Sequence, residues 1–524
     1  MSVQTQPPVD GQTSAAAGAT PKDAAAVILL REGTDKAVPS VFWVRRNERM
    51  AFLGGFHAFP GGQRDAADAE VLVDNAAARE TATMIACAAR ELFEELCVLV
   101  ARGAETLTKG QRASLLDDLE SGRMTFPALL KHYGLRLDAG DFTFAGRWVT
   151  PPFSPRRFDT WFFLATCPAK QQPQVTGDAE LESGEWTTAR EAVARWESSE
   201  VLTAPPVLHA LKTLAGGITD DLVSRFLSVP QAHAEPVRRI EFRPGFVCFP
   251  VRTPTKPPAT HTNCYLVGSR EFVVIDPASP YEEEQQALAA CVDELLAEGR
   301  VFREIILTHL HPDHVGGVGA LVEHLGGRAA VAAHRLTAEA LAGTVRVDRL
   351  IEDEEVIELA GEPHLFLRAL HTPGHARGHL CFYEERTGAL LTGDNIVGLG
   401  SVLIDPPEGN MQDYLRSLER LRSLPNLTVL FGAHGPAIGG PRAKIEEYVA
   451  HRLEREAKIL EAVREGASTT PEIVARVYTD VHPKAHAMAE RAVLAHLEKL
   501  AAENLVARRA DGCYVANDTN PSAS

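Results

Sequence analysis

Three histidines and an aspartate lie within residues 308–314, a stretch with the sequence THLHPDH. The apolar residues 305–307 before it predict a buried strand, and residues 315–317 after it predict a turn into a helix. Packing alone does not explain so many nitrogen and oxygen donors at a strand end, and zinc or a similar divalent cation prefers such ligands. The stretch therefore predicts a metal site.

Further donors recur downstream, each after a predicted strand or within a loop. His371 and His375 lie in the sequence HTPGH, Asp394 follows the apolar residues 389–392, and His434 follows another apolar run. Because loops at one edge of a sheet lie close together, we expect these donors to meet the first stretch.

These motifs occur over about residues 242–440 in the order found in the metallo-β-lactamase superfamily, which this region resembles closely. The resemblance implies an αββα sandwich with two divalent cations, for which zinc is expected. It assigns these ligands: His309, His311 and His375 to the first cation, Asp313, His314 and His434 to the second, and Asp394 to both. Such a pair lowers the pKa of water toward neutrality, so that hydroxide attacks an ester, thioester or phosphodiester. Asp313 or a metal-bound water is a candidate for protonating the leaving group, and His379 and His371 are each candidates either for supporting the ligands or for facing the substrate.

A narrower resemblance covers residues 393–395, 413–418, 434–436 and 451–456. These stretches resemble the lactamase-like protein 2 group, whose animal members are endoribonucleases that act on single-stranded RNA. The group also carries a C-terminal winged helix, which a predicted helix and strand pair over residues 487–515 fit. This module is expected to bind RNA, to cover the rim of the active site or to mediate a homodimer. The motifs leave open whether the substrate is RNA or a thioester.

A second cluster of donors lies near the N-terminus, in the sequence RELFEEL of residues 90–96. Glu91, Glu94 and Glu95 have i, i+3 and i+4 spacing, which places them on one face of a helix. Because clustered carboxylates repel one another, a hard cation such as Mg²⁺ or Mn²⁺ with oxygen ligands would offset that repulsion. A solvated acidic face is the alternative interpretation.

The sequence FPGG at residues 59–62 favours the metal-binding interpretation over the solvated acidic face. FPGG followed by RExxEE resembles the Nudix box of the CoA-diphosphatase-like branch. The resemblance implies that Glu94 and Glu95 bind the cation and catalyse cleavage of a nucleoside diphosphate derivative such as CoA, with Glu91 as a further cation ligand. It also makes Gly61, Gly62 and Arg157 candidates for substrate binding. However, Gly62 and Arg90 are 28 positions apart, Ala82 occupies the position of the box's first glutamate, and Cys97 replaces a glycine. The alternative is a non-catalytic nucleotide-binding regulator of the second region.

The predicted strands and helices that position these residues indicate a multidomain α/β fold for this chain of 524 residues. We expect the following division: a disordered tail (1–22), a Nudix α/β/α domain (23–217), a connector (218–241), the αββα domain (242–440), a winged-helix-like module (441–516) and a tail (517–524). The net charge of −17 argues against broad nucleic-acid binding, and eight cysteines without a CxxC pair indicate no disulfide framework. With no signal sequence or membrane span in evidence, we expect a cytoplasmic protein without a membrane partner.

Overall fold

The computed structural model describes residues 19–31, 39–50, 52–176, 180–479, 482 and 485–517. The tails that the sequence predicts lie outside the described residues, except for residues 19–22 and 517. Across the described part of the chain, no helix combines the length and the apolar character needed to cross a membrane.

The N-terminal domain is a mixed seven-stranded sheet with helices packed against it. Its strands are β1 (Lys22–Arg31), β2 (Ser40–Arg46), β3 (His57–Ala58), β4 (Gly61–Gln63), β7 (Thr143–Val149), β8 (Phe158–Thr166) and β9 (Leu181–Thr188), and β5 (Val73–Asp74) and β6 (Leu137–Asp138) form a separate pair. Its helices are α1 (Arg79–Leu96), α2 (Lys109–Glu120), α3 (Phe126–His132), α4 (Ala189–Glu197) and α5 (Pro205–Ala215). Strands β1 and β8 pair in parallel at the centre of the sheet.

Helix α1 carries the three glutamates and packs its other face on the sheet. Ile85, Leu92, Phe93 and Leu96 are at most 1% exposed, so burial of these apolar side chains fixes which face of the helix remains polar. The helix ends at Cys97, whose backbone is left-handed (φ 53°) and whose N–H donates to the Phe93 carbonyl. A glycine adopts this conformation more readily, which explains why the box normally has glycine here.

The expected connector contains regular structure: helix α6 (Leu222–Phe226), a 3₁₀ turn at Pro230–Ala232 and the start of β10 (Ile240–Arg243). The sequence did not predict these short elements.

The middle domain is the expected αββα sandwich. Its first sheet consists of β10, β11 (Phe246–Arg252), β12 (His261–Val267), β13 (Glu271–Ile275), β14 (Val301–Ile306), β15 (Val331–Ala333) and β16 (Arg349–Leu350). Its second sheet consists of β17 (Val356–Leu359), β18 (Leu365–His371), β19 (Leu380–Glu384), β20 (Ala389–Gly393) and β21 (Val429–Gly432). The helices are α7 (Glu282–Ala297), α8 (Pro312–Val315), α9 (Val318–His324), α10 (Arg335–Ala340) and α11 (Met411–Arg422).

Apolar side chains fill the space between the two sheets, and they also cover the outer face of each sheet. Ile275 and Ile306 of the first sheet belong to the same core as Leu367 and Phe382 of the second. Helices α7 and α9 cover the outer face of the first sheet, and α11 covers that of the second. Because each sheet is buried on both faces, the polar donors are restricted to the loops at the strand ends.

In its described residues, the C-terminal module has three helices and a two-stranded ladder. These are α12 (Pro441–Arg464), α13 (Thr470–Val477), α14 (His486–Ala502), β22 (Val506–Arg508) and β23 (Tyr514–Ala516). Ile459, Ile473, Val493 and Leu497 are fully buried in its separate core. The arrangement matches the predicted winged-helix-like module.

The N-terminal and middle domains share one continuous core. The Phe56 and Phe242 rings meet edge to face at 5.5 Å, and the Trp196 indole N–H donates to the Phe242 carbonyl at 3.1 Å. Arg243, only 1% exposed, donates to the Ser199 carbonyl at 2.7 Å. These contacts fix the position of one domain against the other.

Candidate metal centres

The loops at one edge of the sandwich bring the histidines and aspartates together. His309 and His311 follow β14, His375 follows β18, Asp394 directly follows β20, and His434 follows β21. Among the described residues, two groups have ligand atoms within 4.8 Å of one another: His309, His311, His375 and Asp394, and Asp313, His314 and His434. All seven ligands expected from the sequence thus lie in one place; their roles as ligands stay a prediction.

The first group faces a common point. His311 Nδ1 lies 2.9 Å from His309 Nε2 and 2.9 Å from His375 Nε2, and Asp394 Oδ2 lies 3.5 Å from His375 Nε2. These three imidazole nitrogens and the carboxylate oxygen therefore form a cluster that a single cation could bind.

The second group is joined to the first through Asp394. Asp394 Oδ1 lies 3.5 Å from His314 Nε2 and 3.3 Å from His434 Nε2, while Asp313 Oδ2 lies 3.7 Å from His434 Nε2. Asp394 is thus the one carboxylate whose two oxygens face the two groups separately, as expected for a bridging ligand.

Three of the histidines have a ring nitrogen, Nδ1, that faces away from the clusters. In each of them Nδ1 donates to an oxygen, and this hydrogen bond orients the ring. His314 Nδ1 donates to Asp276 Oδ2 at 2.8 Å, His375 Nδ1 to the Leu403 carbonyl at 2.9 Å, and His434 Nδ1 to the His261 carbonyl at 2.8 Å. These bonds fix the tautomer in which Nε2 is free to bind metal.

Asp276 orients a second ligand through a relay that sequence analysis missed. His309 Nδ1 donates to Thr308 Oγ1 at 3.0 Å, and Thr308 Oγ1 donates to Asp276 Oδ2 at 2.6 Å. Asp276 is 2% exposed, directly follows β13 and has a left-handed backbone (φ 52°). The only signal in the sequence was an Asp-Pro pair after an apolar run.

Charge and burial fit a pair of cations at these groups. Burial lowers the pKa of His309 well below its usual value and that of His311 to about 3, which favours the neutral imidazoles that bind metal. Burial opposes the charge of Asp394, but His434 and His314 outweigh it and hold the pKa of this carboxyl well below its usual range. His314 Nε2 and Asp394 Oδ1 are buried without a hydrogen-bond partner. Divalent cations would satisfy both atoms.

Of the two roles expected of His379, the structure agrees with support of the ligands and not with contact to a substrate. The His379 ring is fully buried, Nδ1 donates to Thr372 Oγ1 at 3.1 Å, and Nε2 accepts from the Asp394 backbone N–H at 3.2 Å. Both nitrogens are therefore used in holding the loop of the bridging carboxylate, because β19 places the ring beneath the site rather than at its surface.

Replacing Asp276 by asparagine should lower the affinity for metal by about 10- to 100-fold, since it removes the acceptor that orients His314 and, through Thr308, His309. Asparagine retains the shape and tolerates the left-handed backbone. The measurement is competition with a chromogenic chelator. Asp293→Asn is the control, because the Asp293 side chain is 58% exposed and pairs only at the surface with His324. Equal affinity in both variants would contradict the relay.

The second candidate centre lies in the N-terminal domain, where α1 meets the glycine turn. Glu91, Glu95, Gly61 and Gly62 line one cavity of about 490 Å³. Glu95 Oε2 accepts from the Gly61 N–H at 2.9 Å, and a Cβ on Gly62 would come within 2.5 Å of Glu91 Oε2. The turn therefore requires glycine so that its backbone can approach the carboxylates.

Burial raises the pKa of Glu91 to about 7 and that of Glu95 to about 8. Arg90 pairs with Glu91 and Arg46 interacts with Glu95, but burial outweighs both, so a divalent cation would stabilise the charged forms of these carboxylates. The donor set fits Mg²⁺ or Mn²⁺.

Glu94 has a different environment from the one expected. Arg90 donates to Glu94 Oε2 at 2.7 Å and to Glu91 Oε1 at 2.8 Å, and Glu94 does not line the cavity. The Arg90 guanidinium also donates to both carboxylate oxygens of Asp68, a fully buried residue. Asp68 was missed by sequence analysis because it lies 22 positions before Arg90 in a 3₁₀ turn.

Arg157 also has a different environment from the one expected of a substrate-binding residue. It donates to the carbonyls of Thr150 and Ala19 at 2.9 and 3.0 Å, whereas its neighbour Arg156 lines the cavity. Arg156 lies in a bend before β8, so the two neighbouring arginines have different environments, and a role of Arg157 in substrate binding stays a prediction.

Three family models match the chain: the metallo-beta-lactamase superfamily over residues 257–434, the beta-lactamase associated winged helix domain over 469–514, and the NUDT19 Nudix domain over 70–214. An atrochrysone carboxyl ACP thioesterase of Aspergillus chevalieri is 33% identical over 233 residues, covering 42% of this chain and 68% of the relative. A beta-lactamase-like protein 2 homolog of Caenorhabditis elegans is 27% identical over 221 residues, covering 42% of this chain and 71% of the relative. A solved Nudix hydrolase from Alicyclobacillus acidocaldarius is 33% identical, covers 39% of this chain and 96% of its own, and has a TM-score of 0.33.

Proposed function

Because the chain belongs to the metallo-β-lactamase superfamily and joins that fold to a Nudix domain, we propose that this metal-dependent hydrolase has two separate active sites. The observation that carries the proposal is the presence of two buried donor sets of different chemistry. One set consists of imidazoles and aspartates, and the other of glutamates beside a glycine turn.

In the middle domain, two cations would act as Lewis acids and lower the pKa of water. His309, His311 and His375 would hold one, Asp313, His314 and His434 the other, with Asp394 between them. Asp276 and His379 then keep the rings and the Asp394 loop in place. Burial opposes the charge of Asp313, but His314, His434 and a hydrogen bond from Thr255 together lower the pKa of this carboxyl, so the carboxylate form suits a ligand. Proton donation by Asp313 to the leaving group remains a prediction.

We propose a thioester as the substrate of this site. The relative named as an ACP thioesterase supports this choice, and the net charge of −17 disfavours a long polyanion. Single-stranded RNA is the second candidate, and it rests on the likeness to the lactamase-like protein 2 group and on the winged-helix module.

For the N-terminal domain we propose cleavage of a nucleoside diphosphate derivative such as CoA. Glu91 and Glu95 would bind Mg²⁺ or Mn²⁺ next to the diphosphate. Arg90, which is itself bound by Asp68, would keep the Glu91 carboxylate in position. A domain that only binds the nucleotide and regulates the other site is the alternative.

A substrate panel tests both proposals on the full chain loaded with Zn²⁺ or Mn²⁺. The panel holds acyl-CoA thioesters of several chain lengths, single-stranded RNA, CoA and ADP-ribose. We expect release of free thiol from the thioesters, cleavage of the CoA diphosphate, and loss of both on chelation. RNA cleavage without thioester turnover would replace the first proposal, and intact CoA and ADP-ribose would remove the second.

A further inference from the structure

The cavity at the Nudix glutamates is not enclosed by the N-terminal domain alone. Val237 of the connector, Ile240 and Phe242 of β10, and Pro436 also line it. Pro436 lies two positions after the ligand His434, so the loop of the middle domain's metal site forms part of this wall.

The domains meet so closely at this wall that it is a fixed part of the cavity. A Cβ on Gly439 would lie 2.3 Å from the Gly54 carbonyl oxygen, and one on Gly55 (φ +78°) would lie 2.7 Å from the Gly439 carbonyl oxygen. Such direct backbone contact is possible only between glycines. Phe52 and Leu53, next to this contact, line the same cavity.

The charged groups in the cavity lie together. Arg46 interacts electrostatically with Glu95, Glu180 and Arg156, and its Nε atom is buried without a hydrogen-bond partner. An anionic group of a ligand would satisfy this guanidinium beside the cation that Glu91 and Glu95 are proposed to hold.

Most of the remaining lining is apolar. Phe59, Trp148, Phe153, Phe158 and Phe162 contribute aromatic rings. A volume of about 490 Å³ exceeds the space that a diphosphate needs and falls within the range of small-molecule sites. Burial of an apolar group against such a wall would contribute substantially to binding.

We infer that the middle domain and connector complete the Nudix substrate site, and that Val237, Phe242 and Pro436 bind the apolar part of a diphosphate ester. These residues are specificity determinants for the diphosphatase reaction. The inference rests on the proposed Nudix function for the position of the diphosphate, but it is tested by binding rather than turnover.

The test is calorimetric titration of the full chain with CoA and with S-decyl-CoA in the presence of Ca²⁺, with chromatography to show that the ligand stays intact. S-decyl-CoA is a thioether, so thioester hydrolysis at the other site does not consume it. We expect S-decyl-CoA to bind at least about 10-fold more tightly than CoA. Val237→Trp, which places an indole in the cavity, should reduce the affinity for S-decyl-CoA at least about 10-fold more than that for CoA and so remove the preference.

Val301→Trp is the matched control, because Val301 is 55% exposed on the middle domain and should retain the preference. If Val237→Trp does not fold, as judged by circular dichroism, Val237→Ala should reduce the preference about threefold by removing apolar contact. Equal binding of both compounds to the wild type, no binding of either, or an unchanged preference in the folded Val237 variants would overturn the inference. If both compounds bind but neither is cleaved with Mg²⁺ or Mn²⁺, the diphosphatase proposal fails and the composite site stands.

Discussion

Replacing Asp394 by asparagine should reduce thioester or RNA hydrolysis by at least about 10³-fold and remove bound metal from the middle domain. Among the residues that the structure describes, the Asp394 carboxylate is the only group whose oxygens face both ligand groups, at 3.5 Å from His375 and 3.3 Å from His434. Asparagine has nearly the same shape but no negative charge, so it would no longer offset the charge of two cations held in a buried site. Metal content by mass spectrometry and initial rates are the two measurements.

The control for this variant is Asp413→Asn, since the Asp413 side chain is 42% exposed at the start of α11. It should retain both metal and activity. CoA cleavage should be unaffected in either variant, because the glutamate centre uses none of these residues. An Asp394→Asn protein that keeps its metal and more than a tenth of its activity would refute the bridging role.

The second large effect concerns the glutamates of α1. Glu91→Gln combined with Glu95→Gln should reduce CoA cleavage by about 10²- to 10³-fold, because these carboxylates line the cavity. Glu94→Gln should have a smaller effect, of about 10-fold, since Glu94 pairs with Arg90 and is 31% exposed. The Nudix resemblance implies that Glu94 and Glu95 are the catalytic residues, whereas Glu91 and Glu95 line the cavity, so the relative effects of these variants distinguish the two assignments.

Glu120→Gln, on an exposed position at the end of α2, is the matched control and should leave turnover unchanged. Rates and the Mn²⁺ concentration at half-maximal rate are measured together, because loss of a cation ligand changes both. Unchanged CoA turnover in the double variant, together with altered hydrolysis at the other site, would identify the N-terminal domain as a nucleotide-binding regulator.

The sequence alone determined the two donor sets and the fold class. Short motifs at predicted strand ends identified His309, His311, His375 and their partners, because parallel strand ends must bring their loops to one edge. The i, i+3 and i+4 spacing likewise placed the three glutamates on one face of α1. Such local signals are independent of where distant parts of the chain pack.

Only the tertiary structure decided which groups support the donors and which of them face a substrate. The carbonyls of Leu403 and His261 orient two ligands, yet a carbonyl has no residue signature in a sequence. Asp68, Asp276 and Pro436 act across long sequence separations, so their partners follow from packing and not from spacing. The choice between Glu91 and Glu94 depends on a rotation of α1 of less than one turn, which burial of its apolar face against the sheet fixes.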